Sequence, residues 1–431
     1  MHKISLSQDQ LNIQKTVVAY DFTRMYGYLD RVFPSGIERV DINYLNGLIH
    51  DDKFIVRGVI EISSKGNSYL IKLSDELPRL IHRHLYSRWV LENGELEKFQ
   101  QNALRIRDLI LEKIKSIRLI TGSRVDEEIF ALHKKKTCIY LNCCFINIIE
   151  GNQHYELISA SGLQPVYVIH DLSAIEFPEY AYGEDQGKRH LNRLIAVCKL
   201  NGKIIAISEF VKTRIQEVIT ILGYTNIQIF VNRNGVNEKF IKYGIKRKYQ
   251  ADKKVQFIIL STIEPRKNHL LLINVWRKLI NECDKANIPK LIIIGRRGWN
   301  SQNVFDALDK NPALREYILE KNNASDDEII CDIQESKAML FPSFDEGWGL
   351  PIVEAMALGT PVICSDIPVH RECTQNKATY IDPIDGIGWY KIIREVSDGV
   401  RKLPLDDFRP ITWEQSTNQL KELILNFTSH K

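Results

Sequence analysis

Residues 341–372 read FPSFDEGWGLPIVEAMALGTPVICSDIPVHRE, and this stretch decides the fold class. Ala338–Phe341, the apolar approach to it, reads as the end of a buried strand. Gly347 and Gly349 then leave a turn whose bare backbone a ligand can touch. Pro351 suits the first helical position and Gly359 the stop, after which Thr360–Cys364 restarts a strand. Strand, glycine-rich turn, short helix and strand make one unit of a parallel α/β sheet. The freed N–H groups around Leu350–Val353 form an anion or hydroxyl site. Glu346 stands just before the turn, and Glu354 lies inside the helix. A carboxylate pair beside a helix start also serves simply to complement its dipole. Glycines on both sides of Trp348 and a proline after Leu350 favour the ligand site instead.

The two carboxylates have seven residues between them, which resembles the Glu-x7-Glu signature of the retaining glycosyltransferases of family four. The resemblance implies a GT-B fold, an α/β architecture of two doubly wound Rossmann-like domains facing across a cleft. It implies that Glu346 faces a donor sugar and that Glu354 accepts hydrogen bonds from the ribose hydroxyls of a nucleotide. Gly347, Gly349 and Leu350 would border the donor, the last two offering backbone N–H groups to sugar and phosphate. A carboxylate can accept from both hydroxyls of a diol, and each such bond is roughly twice as strong as a neutral one.

A chain of 431 residues is long enough for two domains. Hydrophobic content of 44% and charged content of 26% are ordinary for a soluble globular protein. Net charge is +4, from 58 basic and 54 acidic residues, a balance that disfavours nucleic acid as a main partner. The opening MHKISLSQDQ has no apolar core of a signal peptide. Eight cysteines without a C-x2-C pair read as reduced, mostly buried thiols in a cytoplasmic protein.

The first strand, Thr16–Tyr20, leads to Phe33-Pro-Ser-Gly-Ile-Glu-Arg-Val40, which opens a helix running to about Ile49. Gly36 and Arg39 thereby stand at the crevice where open α/β sheets bind ligands; a plain connection with a solvated arginine fits the same residues. The stretch is similar to the family's Thr-Gly-Ile-[Asp/Glu]-Arg-Val, with Ser35 in place of Thr. Leu96–Ile120 reads as a helix with Leu104, Leu111, Ile114 and Ile117 on one face and five cations on another. Such a helix meets a membrane surface or packs on its own domain with a solvated charged face. The Lys134–Lys136 run has the same two readings.

Pro165–Ile169 is a continuous apolar strand ending in His170-Asp171, a titratable pair where this class of sheet binds ligands. The surrounding text resembles the family, which makes them cleft residues near donor sugar and acceptor. Asn234-Gly235-Val236 matches the motif that closes the family's first domain and places Asn234 with the donor. Phe240–Lys254 is polar and basic and reads as the linker. Beyond it, Glu-Pro-Arg266-Lys267-Asn sits at a strand-to-helix turn, where two cations are positioned to neutralise a diphosphate. In the family that Lys grips the donor phosphates. Some members have a further Arg six residues earlier, where this chain has Ser261.

These readings divide the chain at 245 into an acceptor domain, 1–245, and a donor domain, 246–412, with a final helix over 413–431 returning to the first. No G-x-G-x-x-G occurs, which disfavours a dinucleotide dehydrogenase. No Asp-x-Asp occurs either, so no metal is expected and the leaving group is left to Lys267, Arg266 and the helix at Pro351. The expected catalytic set is Glu346, His170, Asp171 and Lys267. The expected function is transfer of a hexose from a nucleotide sugar, with GDP-mannose favoured, to a glycan or lipid-linked acceptor. No cofactor beyond that co-substrate is expected. The expected location is the cytoplasm or the inner face of its membrane, with peripheral contact through 96–120. A GT-B epimerase or hydrolase, or a silent GT-B scaffold, is the alternative.

Overall fold

A computed structural model describes residues 15–64, 66–118, 124–133, 138–145, 151–244, 255–404 and 408–429. Two sheets organise them. The first comprises β1 (Thr16–Asp21), β2 (Phe54–Ser64), β3 (Asn67–Lys72), β4 (Cys138–Asn142), β5 (Gln164–Ile169), β6 (Lys203–Ala206) and β7 (Ile229–Val231). Their order is β3-β2-β1-β4-β5-β6-β7, parallel throughout except for the antiparallel β2–β3 edge. The second comprises β8 (Gln256–Leu260), β9 (Lys290–Ile294), β10 (Ile318–Lys321), β11 (Ala338–Phe341), β12 (Val362–Ser365) and β13 (Thr379–Ile381). It is all parallel, in the order β10-β9-β8-β11-β12-β13. Helices cover both faces of such sheets, so the central strands are buried on both sides. Every residue of β1, β4, β11 and β12 is buried accordingly.

Strand order reverses between β1 and β4 in one sheet and between β8 and β11 in the other. Ligands of doubly wound sheets bind outside the carboxyl ends of the strands at such switch points. Lys267 follows β8 and Glu346 follows β11, so both stand at the second switch.

The last helix, Trp413–Ser429, lies against the helix Gly36–Ile49 of the first sheet. Tyr44 and Trp413 meet edge to face at 6.2 Å, and Ser416 donates to the Arg233 carbonyl at 2.7 Å. Thr412 pairs with Val236 in a parallel bridge, so two segments cross side by side between the sheets. Of the expected linker, residues up to Gly244 belong to the helix Glu238–Gly244, anchored by the buried Phe240; residues 245–254 lie outside the described residues, as does the Lys134–Lys136 run.

One expectation is corrected. The helix Leu96–Arg118 buries Phe99, Ala103, Ile106, Ile110 and Ile114; of the face read from the sequence Ile114 is buried, while Leu104 and Leu111 are 59% and 37% exposed. The side chain of Ile117 lies outside the described residues. Phe99 stacks on His84 at 4.3 Å, so the neighbouring helix Leu77–Trp89 selects the buried face.

Candidate active site

Lys267 ends a short turn, Pro265–Lys267, that follows β8, and Asn268 after it adopts the left-handed conformation. The Asn268 side chain ties this turn to the Pro342 and Pro383 carbonyls, at 3.2 and 2.9 Å. The Lys267 ammonium donates to Glu346 and lies 5.6 Å from the centre of the Phe341 ring. Arg266 spans three groups: it donates to Glu264 (3.0 Å), to the Asp345 carbonyl (3.0 Å) and to Glu346 (3.3 Å). Burial alone would raise the Glu346 carboxyl; Lys267 and then Arg266 outweigh it and hold it down at about 2. Glu346 is therefore ionised at every physiological pH. The stability it contributes is present above the ordinary carboxylate range and lost as pH falls through about 2.

The turn after Glu346 is pressed against the first domain. A β-carbon on Gly347 would lie 1.9 Å from the His170 carbonyl oxygen, so only glycine fits. The Ser208 hydroxyl donates to the Gly347 carbonyl at 2.9 Å while accepting from Val211 N–H as a helix cap. His170 is buried, and its Nε2–H donates to the Cys143 carbonyl at 2.7 Å. Burial lowers its pKa, leaving a neutral ring whose Nδ1 is the available acceptor. Asp171 accepts from Ser173 N–H at 3.2 Å, and its charge acts on Arg266 and Asp345. Gly349 has φ of 102° and precedes the helix Leu350–Ala357. The N–H groups expected free over Leu350–Val353 are largely taken, since Ile352 and Val353 both donate to the Gly349 carbonyl, at 3.0 and 3.3 Å, and Pro351 has none. Leu350 touches the position a Gly36 side chain would take, at 3.5 Å.

Glu354 belongs to a second, linked group. It is buried, and burial pushes its carboxyl up to about 7, with Arg39 opposing the rise and Asp326 adding to it. Arg39 reaches across from the first domain and holds Asp326 with two bonds, of 2.5 and 3.1 Å. Arg39 thus pairs with Asp326 and acts on Glu354 only through its charge. The sign for Glu354 is opposite to that of Glu346. The raised pKa stabilises the fold fully below the carboxylate range, and that contribution is lost as pH rises through about 7. A ligand requiring the ionised carboxylate should bind about tenfold more weakly per pH unit below 7. Nucleotide titrations between about pH 8 and about pH 6 measure this, and Glu354→Gln should flatten the dependence.

The structure brings Glu346, Lys267, Arg266, Gly347, His170 and Asp171 together, with Gly349, Leu350, Gly36, Arg39 and Glu354 alongside. Asn234 stands apart. It lines a cavity of about 290 Å³ with Arg233, Trp348, Val353 and Glu372, where its Oδ1 and the Trp348 Nε1 are both buried without a protein partner. The Ser261 hydroxyl makes a 3.4 Å contact with His269 Nε2, and its N–H donates to the Ile294 carbonyl at 3.0 Å. Sequence reasoning missed four contributors: Asp345, which accepts from the Ser173 hydroxyl, Asp326, Glu264, and Glu372. Glu372 accepts from Arg233 (2.9 Å) and from the N–H groups of Glu209 and Phe210, at 3.0 and 3.2 Å. Asp345 carries a signal, since it directly precedes Glu346 and the glycine turn. His370 is buried near Glu346 and Lys267, and burial lowers it to about 4. Among the described residues no group of three or more His, Cys, Asp or Glu side chains is placed to hold a metal.

Residues 243–385, which contain the Arg266–Lys267 and Glu346–Glu354 elements, match the family described as Glycosyl transferases group 1. That match takes in residues 243–385 of the 431. The chain is 26% identical over 270 residues to the O-antigen chain mannosyltransferase B of Escherichia coli, covering 59% of this chain and 68% of that protein. It is 28% identical over 232 residues to the O-antigen chain mannosyltransferase RfbU of Salmonella typhimurium, covering 53% and 59%. A 124-residue segment is 36% identical to the serotype-specific mannosyltransferase WbdA of Escherichia coli. That match takes in 29% of this chain and spans only 15% of the relative's length. Anabaena HepE in complex with UDP and glucose superposes with a TM-score of 0.58 at 13% identity, over 95% and 99% of the two chains. Sucrose-phosphate synthase from Thermosynechococcus elongatus gives 0.57 at 14% identity, over 97% and 100%. These solved structures share the fold, which is GT-B.

Proposed function

We propose that the protein is a retaining glycosyltransferase that moves a hexose, α-mannose from GDP-mannose by preference, onto a lipid-linked or oligosaccharide acceptor during assembly of O-antigen, capsule or a related polysaccharide. One observation carries this reading: two cations from the turn after β8 and a carboxylate from the turn after β11 converge at the sheet's switch point, facing His170 and Asp171 of the other domain. The named mannosyltransferase relatives support the donor sugar.

In this reading the diphosphate takes up the positive charge now spent on Glu346. Glu346, ionised and rigidly held, accepts from hydroxyls of the donor sugar, and Glu354 accepts from the ribose. The bond between anomeric carbon and phosphate oxygen breaks, the acceptor oxygen bonds on the same face, and the leaving phosphate takes the acceptor proton. Neutralisation falls to Lys267 and Arg266, so EDTA should leave turnover intact; a strict requirement for added Mn²⁺ contradicts the reading.

A thermal-shift screen against GDP, UDP, dTDP and CDP tests the reading. The cognate nucleotide at a hundred times its Kd should add about 2.7 kcal/mol of stability. A flat response to all four would remove nucleotide-sugar chemistry from consideration.

Peripheral membrane contact through residues 96–120 fits an acceptor on a lipid. Leu96, Leu104 and Leu111 are exposed on the helix Leu96–Arg118, beside exposed Lys98, Arg105 and Lys115. Apolar side chains flanked by cations suit an anionic lipid surface. No helix among the described residues is long and apolar enough to cross a membrane. The double substitution Leu104→Asp and Leu111→Asp should cut co-sedimentation with anionic vesicles several-fold, at unchanged melting temperature. Equal binding by the variant would dissociate this helix from lipid.

A further inference from the structure

Aromatic rings from both domains gather beside the catalytic turn. Phe344, two residues before Glu346, stacks on Tyr180 of the first domain, with ring centres 5.6 Å apart and planes 17° apart. Tyr180 stacks in turn on Phe177, at 5.8 Å and 19°. The backbone that carries this stack also holds Trp299, whose indole N–H donates to the Tyr180 carbonyl at 2.8 Å. Tyr182 then meets Trp299 edge to face at 5.7 Å. Tyr182 is 68% exposed and Trp299 half-buried, so the series runs from the crevice to solvent.

We propose that Tyr182 and Trp299, backed by the Phe177–Tyr180–Phe344 stack, form a subsite for a sugar ring of the acceptor glycan, beyond the residue that receives the hexose. The proposal rests on the glycosyltransferase reading and adds the chain length of the acceptor to it. A pyranose presents apolar C–H faces and a rim of hydroxyls. A flat, amphipathic aromatic side chain covers the first without desolvating the second, at small cost in side-chain entropy. The exposed Asn300, which donates to the Ala181 carbonyl at 3.4 Å, adds polar groups at the edge.

Position separates this subsite from the nucleotide. Glu354 is grouped with Arg39 and Asp326. Glu346 is grouped with Lys267 and Arg266. Asp345, next in line, reaches Ser173, and Phe344 begins the aromatic series. Phe177, Tyr180 and Tyr182 follow β5 of the first sheet, in the half read as the acceptor's, which sets the rings on the acceptor's side. A purely structural clamp between the domains would bury its outermost ring. Tyr182 instead stays in solvent next to Gly183, around which a β-carbon would meet nothing within 4 Å.

Calorimetric titration of the full chain, loaded with whichever nucleotide gives the thermal shift, tests the proposal with mannose and α-linked manno-oligosaccharides up to mannopentaose. Affinity should rise about tenfold or more from mannose to mannopentaose. Tyr182→Ala should lower mannopentaose affinity by on the order of fivefold while leaving nucleotide binding unchanged, and Tyr182→Phe should restore it. An exposed side chain carries little folding risk. Equal affinity along the series, no binding of any member, or an unaffected Tyr182→Ala would each overturn the subsite. Absence of any nucleotide response refutes the glycosyltransferase reading instead, so the two failures are distinguishable.

Discussion

Gly347→Ala is expected to lower kcat/KM by on the order of a hundredfold. The added carbon would stand 1.9 Å from the His170 oxygen and 3.0 Å from its carbonyl carbon, both backbone atoms that cannot rotate away. The Gly347 carbonyl is held from the other side by Ser208, so the turn has no slack and Glu346 must move with it. A displacement near 1 Å at a reacting group is worth about that rate factor. Ser208→Ala removes that hydrogen bond and the cap bond from Val211 N–H without adding volume, so its cost should fall on stability, about 1–3 kcal/mol, and far less on the rate. Steady-state rates for the two variants, with melting curves to exclude global unfolding, measure the difference. Full activity in Gly347→Ala would show that the two domains do not need this contact to react.

The second large effect is expected at Lys267. Its removal takes a cation from the diphosphate and leaves Glu346 buried with Arg266 as its remaining strong partner. Lys267→Ala should cost about 1.5–3 kcal/mol of transition-state stabilisation, roughly tenfold to over a hundredfold in kcat/KM. A double-mutant cycle with Glu346→Gln separates the two roles. If Lys267 acts only by neutralising Glu346, the double variant is no slower than Glu346→Gln alone. If it also grips phosphate, the losses persist together. Unchanged turnover in Lys267→Ala would take it out of the site.

Much of this architecture was legible. Ser325 and Glu328 form a capping box and Ser208 caps its helix, both signalled by residue type and spacing alone. The core strands announced themselves as continuous apolar runs because both their faces are buried. The helices Gly151–Ser161, Gln186–Lys199 and Gly386–Ser397 went unread. Asp332 stands beside Ile329, Ile330 and Ile333 on one helix and forms a 2.6 Å ion pair with Lys321 of β10, a partner that helix periodicity does not show. The helix Leu96–Arg118 has apolar residues on more than one side, so periodicity alone could not choose the face; the stack of Phe99 on His84 did.

By itself the sequence determined the chemistry available: which turns are bare, which carboxylates are spaced along one turn and helix, and which cations follow a strand. These are local properties, set by residue type and short-range spacing. Which charge meets which was decided only in three dimensions. Lys267 and Glu346 are 79 positions apart and Arg39 and Asp326 are 287 apart, and strand order and domain apposition alone bring them together. The protonation states follow from the same packing. Both glutamates are buried, but two adjacent cations hold Glu346 ionised, while Glu354, with one cation shared with Asp326, is pushed up to about 7.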